Sequence, residues 1–271
     1  SRIFLQNLKR KTDPNKPGRY SLADLSASDI QSKEPTFTSR QTVIRLDGGV
    51  QQIKLKGNEV EGFKGNNGND TFGIVKDLGV DPDTNEWKKV LLPWTVRASN
   101  DDGQFNTFNK EENNGKPKYS QKYRSRDSSK HERDLGDIVN SPIVAVGGYL
   151  ATSANDGMVH IFKKGNGVDE RNYSLKLSYI PGTMPRKDIQ SQDSTLAKEL
   201  RAFAEKGYVG DRYGVDGGFV LRQVNNLNGQ DRVFMFGAMG FGGRGAYALD
   251  LTKAENGNPT AVSLFDVKND N

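Results

Sequence analysis

DIVNSPIVAVGGYLATSANDGMVHIFKK, residues 137–164, holds three short apolar runs separated by turn formers. The runs DIVNSPIVAVG (137–147), YLATSAN (149–155) and GMVHIFKK (157–164) are too short for helices. They are rich in the β-branched and aromatic residues that suit a pleated strand. Asn155-Asp156-Gly157 lies between the second and third runs, and these residue types tolerate the positive φ of a tight hairpin turn. YSLKLSYIP (173–181) adds a fourth strand. A second foursome follows: GFVLRQV (218–224), RVFMFGAM (232–239), GAYALDL (245–251) and AVSLFDV (261–267). The two sets match strand for strand, and the extra length between them collects in one insertion, 186–214. Repeated four-stranded antiparallel units are the pattern of propeller blades, which run ~40–50 residues each. The expected fold is all-β and propeller-like, with blades at about 137–181 and 218–267.

Upstream the signal thins. QTVIRLDGGVQQIKLK (41–56) reads as two strands around Asp47-Gly48-Gly49, giving a partial blade over 38–62. Residues 1–35 are a polar lead-in, so the propeller portion is 36–271. Residues 98–133 are the most polar part of the chain and read as a long excursion. The insertion holds the best helical pattern, DSTLAKELRAFAEKG (193–207). Leu196, Leu200 and Phe203 share one face there, Asp193 or Ser194 caps the start and Gly207 ends it. Six to eight blades at ~45 residues each need roughly 270–360 residues of blade alone. This chain spends over a hundred residues on loops, so the expected ring is incomplete and continues beyond Asn271.

The chain has 271 residues, 34% of them hydrophobic, and enough length for a sizeable core. No stretch approaches the ~18 apolar residues of a membrane-spanning helix. Thirty-nine basic and 34 acidic residues leave a net charge of +5, too mixed to imply nucleic acid. With 30 glycines and abundant asparagine, turns are plentiful. Cysteine is absent, which excludes disulfides, thiol nucleophiles and cysteine-ligated metals. Only His131 and His160 exist, so a three-histidine metal site is impossible. Ser1 opens the chain with no apolar signal region, which reads as a fragment of something longer.

Several motifs invite a chemical reading. Gly240-Phe-Gly242-Gly243-Arg-Gly245 satisfies G-x-G-x-x-G, but a pyrophosphate cradle needs a helix N-terminus after the third glycine, and strand-like AYALDL follows. A tight strand–strand turn is expected instead. Asp81, Asp83 and Asn85 have the spacing of a calcium loop, yet Glu86 and Leu92 stand where Gly and Glu belong, so a solvated capped turn is the reading. KPKYSQKYRSRDSSKHER (116–133) supports two readings. One is a polyanion-binding segment in which Lys118, Lys122, Arg124, Arg126 and Lys130 act beside Tyr119 and Tyr123. The other is a solvated loop whose charges sit in water. Trp87 and Trp94, spaced with Leu91, read as core rather than as sugar platforms. His160 sits within a strand, where it packs or makes one hydrogen bond. His131 lies in a polar loop. Neither has a nearby nucleophile with an orienting acid, so no triad is expected and no catalytic, cofactor or metal residue is assigned in this stretch.

The ordered series of these pieces resembles the C-terminal propeller of the PilC/PilY family, the large type IV pilus-associated adhesins and biogenesis factors. The matching pieces are Tyr-Arg-Ser-Arg (123–126) leading into LGDIVNSPIVAVG (135–147), ANDGMVHIFKK (154–164), YIPGTMP (179–185), YVGDRYGVDGG (208–218) and GAMGFGGRGAYALDLT (237–252). TSRQTVIRLDGG (38–49) looks like the family's opening strand of the first blade. The resemblance implies a protein that is exported to the outer membrane and pilus tip and is not an enzyme. It implies promotion of pilus extension against retraction, and host-cell adhesion. The implied partners are type IV pilus subunits and a host-cell surface receptor, with no nucleic acid. It also implies a calcium-binding loop of alternating Asp in a later blade, which this chain does not contain. Two rival readings are a quinoprotein dehydrogenase, since similar propellers bind pyrroloquinoline quinone over Ca²⁺, and a soluble scaffold for peptide partners.

Overall fold

The computed structural model describes residues 3, 18, 26–32, 40–46, 49–56, 59–61, 69, 74, 76, 79–84, 86–90, 107, 109–120, 135–166, 172–183, 186–187, 193–194, 213–255 and 257–268. In chain order the elements are α1 (Ala27–Ser32), β1 (Gln41–Leu46), β2 (Gly49–Lys56), β3 (Glu59–Glu61), α2 (Glu86–Val90), β4 (Glu112–Asn113), β5 (Lys116–Pro117), β6 (Val144–Val146), β7 (Tyr149–Ser153), β8 (Val159–Lys164), β9 (Tyr173–Ile180), β10 (Arg186–Lys187), β11 (Asp193–Ser194), β12 (Phe219–Leu227), β13 (Gln230–Ala238), β14 (Gly245–Asp250) and β15 (Ser263–Lys268). The all-β expectation holds, and both strand quartets form. β6–β9 and β12–β15 are each consecutive antiparallel meanders. Among the described residues no sheet closes into a barrel.

Local chemistry set most strand limits. The first run, expected over 137–147, pairs only at Val144–Val146. Pro142 has no N–H for a ladder, and Ser141 turns its hydroxyl to Ser153 instead, taking its N–H at 2.9 Å. β12 and β13 run further than the pattern suggested. Asn228 and Gly229 take φ of +53° and +82° between them, a turn whose twist matches antiparallel strands. The strand at 41–61 does not stand as a separate blade. β1 pairs parallel with β9, from Gln41↔Leu177 to Ile44↔Ile180, so β3-β2-β1-β9-β8-β7-β6 is one seven-stranded sheet. Of the insertion, Arg186–Lys187 and Asp193–Ser194 form a two-residue ladder. Asp193 and Ser194 are therefore extended rather than helix caps, and the rest of the expected helix lies outside the described residues.

The two large sheets bury one core between them. Val43, Ala151, Val159, Ile161, Leu177 and Tyr179 line the first sheet's face and Leu221, Met235, Tyr247 and Leu249 the second's. Register explains the sorting. Val159↔Tyr179 and Ala151↔Ile161↔Leu177 are cross-strand partners, and alternate residues must share a face. Each large apolar side chain buried this way contributes about 1.5–3 kcal/mol. The opposite face of the first sheet packs a smaller cluster of Leu150, Phe162 and Leu175 under Ile3 and Leu135. Trp87 is in the main core, as expected from its spacing. Trp94 lies outside the described residues. No helix is long and apolar enough to cross a membrane among the described residues.

Candidate functional site

Asn155-Asp156-Gly157 is a hub rather than a simple turn. Asp137 O accepts the Asn155 N–H at 2.8 Å, and Ala154 O accepts that of Val215 at 3.2 Å. Asn155 Oδ1 accepts from Gly214 N at 3.2 Å. The turn thus ties the lead-in of the first quartet to the lead-in of the second. Asn140 Nδ2 adds a further tie, donating to Asp216 Oδ2 at 2.8 Å. Of the segments quoted for their ordered series, 135–147, 154–164 and the described parts of 208–218 and 237–252 meet at this corner.

Asp156 organises the buried part. Its Oδ2 accepts from Gly136 N at 2.9 Å and meets His160 Nε2 at 2.8 Å, while Oδ1 accepts from Met158 N at 3.1 Å. His160 Nδ1 lies 2.8 Å from Ser178 Oγ. Burial pushes the Asp156 carboxyl up, but His160 beside it and the Gly136 amide outweigh that and hold it at about 2. It is a carboxylate at neutral pH. His160 therefore makes two hydrogen bonds rather than one, and the expectation that no acid and hydroxyl flank it is corrected. Asp156, His160 and Ser178 touch in series. All three are wholly buried, with His160 and Ser178 at 0% exposure, so no substrate reaches the Ser178 hydroxyl. The sequence signal for Asp156 was its spacing of four before His160 across a hairpin. Ser178 becomes visible only once His160↔Ser178 is known as a cross-strand pair.

The glycine-rich segment serves close packing. Gly240–Gly242 is a single 3-10 turn, and Met239 N donates to Gly245 O at 3.0 Å, closing the loop before β14 begins. A strand, not a helix, follows Gly245, so no dipole end is offered to a phosphate. A Cβ at Gly242 would stand 1.4 Å from Gly214 O, so only glycine fits there. The loop lifts Phe241 into solvent at 74% exposure, its ring tilted 42° against that of Tyr213 with centroids 5.4 Å apart.

A second polar knot joins the sheets further along β9. Asp266 Oδ1 accepts from the Tyr179 hydroxyl at 2.7 Å, Asp266 Oδ2 from Gly182 N at 2.6 Å, and Arg45 Nε lies 3.4 Å from Oδ1. Arg45 Nε also donates to Ser263 Oγ at 3.0 Å. Burial dominates here and raises the Asp266 carboxyl above its usual range. Burial, then Asp266 beside it, pushes the Tyr179 phenol up as well.

The remaining candidates fall apart from the corner. Lys118 is exposed, pairs with Glu111 and lies 5.3 Å from the Tyr119 ring centroid. It sits just after a hairpin of β4 and β5. Lys122, Arg124, Arg126 and Lys130, like His131, lie outside the described residues, so the structure does not assemble the basic stretch. Asp83 opens α2: its N–H donates to Glu86 Oε2 at 3.2 Å while its carbonyl accepts from Glu86 N at 2.9 Å. Asp81 instead faces Lys76 at 3.2 Å. The Asp81 carboxylate is spent on an ion pair, and Asp83 enters the cap through its backbone. Among the described residues no three His, Asp or Glu side chains gather as a cation site.

Compared with protein families, residues 135–271 match the PilY1 beta-propeller domain. No curated protein and no solved structure matches the chain.

Proposed function

The chain belongs to the PilY1 beta-propeller family and is type IV pilus-associated, and from that premise we propose that it promotes pilus assembly, by opposing retraction, and mediates host-cell adhesion. In this reading it works without catalysing a reaction, at the outer membrane or pilus tip. Pilus subunits and a host-cell surface receptor are its partners. The observation that carries the reading is the family match over 135–271. The construction of the corner supports it. Asp156, His160, Ser178 and Asp216 are turned inward as bracing, while Phe241 is held outward on the glycine-rich turn. Rigid scaffolds that present loops are suited to binding.

Deleting the gene tests the role. Fewer pili and weaker attachment to host cells are expected. Unchanged pilus number and adherence would overturn the proposal. Titrating the protein with pyrroloquinoline quinone and recording absorption tests the non-enzymatic part, for which no saturable spectral change is expected.

A further inference from the structure

Asp216 is held differently from the other carboxylates drawn out of water. Asp156, Asp250 and Asp266 each meet a basic side chain: His160 at 2.8 Å, Arg232 at 2.6 Å and Arg45 at 3.4 Å. Both oxygens of buried Glu86 accept, one from the Ser120 hydroxyl and one from Asp83 N. Asp216 is 3% exposed, and its Oδ2 takes one hydrogen bond, from Asn140 Nδ2 at 2.8 Å. Its Oδ1 is buried with no hydrogen-bond partner. No basic side chain pairs with it among the described residues. An ionised carboxylate out of water is costly unless its charge is met. Protonation does not resolve this. A proton on Oδ1 finds no acceptor, and one on Oδ2 faces the N–H of Asn140.

We infer that Asp216 and Asn140 form a site for a hard cation of the calcium class, at the seam between the lead-ins of the two quartets. Asn140 is exposed, so its contact with Asp216 runs from the surface to the buried carboxylate. Turned about its Cβ–Cγ bond, the Asn140 amide presents Oδ1 where Nδ2 stands. Oxygens held by one hard cation at ~2.4 Å lie about 2.8–3.4 Å apart, so the present spacing suits two ligands of one ion. The carboxylate is fixed in advance. Asp216 N donates to Met239 O at 3.2 Å and Val215 N to Ala154 O at 3.2 Å, while Gly214 N donates to Asn155 Oδ1 at 3.2 Å. Every donor is oxygen, which selects a hard ion. With few protein ligands and water for the rest, the irregular shell suits calcium better than magnesium, which demands a near-ideal octahedron. A single carboxylate sets weak affinity, in the range of about 10⁻⁴–10⁻³ M. The inference needs only this corner and stands apart from the pilus reading.

The intact protein, stripped with a chelator, is titrated with calcium chloride at constant ionic strength and followed by thermal unfolding. A saturable rise of a few degrees is expected, because an ion that binds only the folded chain stabilises it. Magnesium chloride should do less. Asp216→Asn should lose the calcium response. Asn140→Asp tests the site by gain rather than loss, at an exposed position where folding does not depend on the change. With chelator it should melt below wild type, since two carboxylates then face each other. With calcium the order should reverse, and the calcium midpoint should fall at least tenfold, because affinity follows the count of charged ligands. Four results each overturn the proposal: no calcium response, an equal response to magnesium, a response that survives Asp216→Asn, or an unchanged midpoint in Asn140→Asp. Any of them would leave a water, and no cation, beside Asp216.

Discussion

Asp156 and Asp266 are both aspartates drawn out of water, yet their surroundings drive them in opposite directions. At Asp156 the buried imidazole and the Gly136 amide outweigh burial, and the carboxyl sits at about 2. A group lowered on folding adds stability above its unfolded value near ~4 and loses it as the pH falls through the folded one. The contribution is on the order of 2 kcal/mol. Asp156→Asn should therefore cost most near pH 6 and progressively less toward pH 2, read from urea midpoints at both. Asp156→Ala, which strands His160, Gly136 and Met158 together, should cost about 3–5 kcal/mol at pH 6. Asp266 is raised by burial, so its contribution is complete below the unfolded value and declines as the pH rises through the folded one. A difference between wild type and Asp156→Asn that grows on acidification would refute the assignment. Asp156 was in plain view as part of a turn motif, but its service to His160 and Gly136 was not, because those contacts depend on how the hairpin meets the lead-in.

Turns and strands are where local chemistry spoke most directly. The Asn155-Asp156-Gly157 turn forms where the residue types place it, with Gly157 at φ +82°. Gly157→Ala should cost about 1–2 kcal/mol through that backbone angle alone. Gly242→Ala differs in kind. Its Cβ would meet the backbone oxygen of Gly214, so the loop at 239–243 must shift off the second lead-in. A loss of about 3 kcal/mol is expected, together with weakened packing of Phe241 on Tyr213. Thermal unfolding of the two variants separates the cases, and equal losses would show that the Gly214 contact is not what requires glycine at 242. The strands were legible because alternation is local. Their limits were less so: at 137–143 a proline and a serine hydroxyl displaced the ladder that the apolar pattern suggested.

Across the whole molecule, Arg45 is the clearest long-range tie. It leaves β1, on the first sheet, and reaches Ser263 and Asp266 on the last strand of the second. Arg45→Met should cost about 1.5–3 kcal/mol, the range for hydrogen bonds to charged groups. Because one core joins both sheets, the loss should move Trp87 fluorescence and far-ultraviolet circular dichroism together; separate midpoints would show that the sheets unfold independently. By itself the sequence determined the two strand quartets, the hairpin turns and the family, since period-two burial and turn chemistry are written in neighbouring residues. Tertiary structure alone decided that β1 lies parallel on β9, that Ser178 faces His160, and that Asp266 points inward to Arg45 and Tyr179. Those pairings join residues far apart in the chain, and they are selected by the shared burial of two sheet faces rather than by any short-range preference.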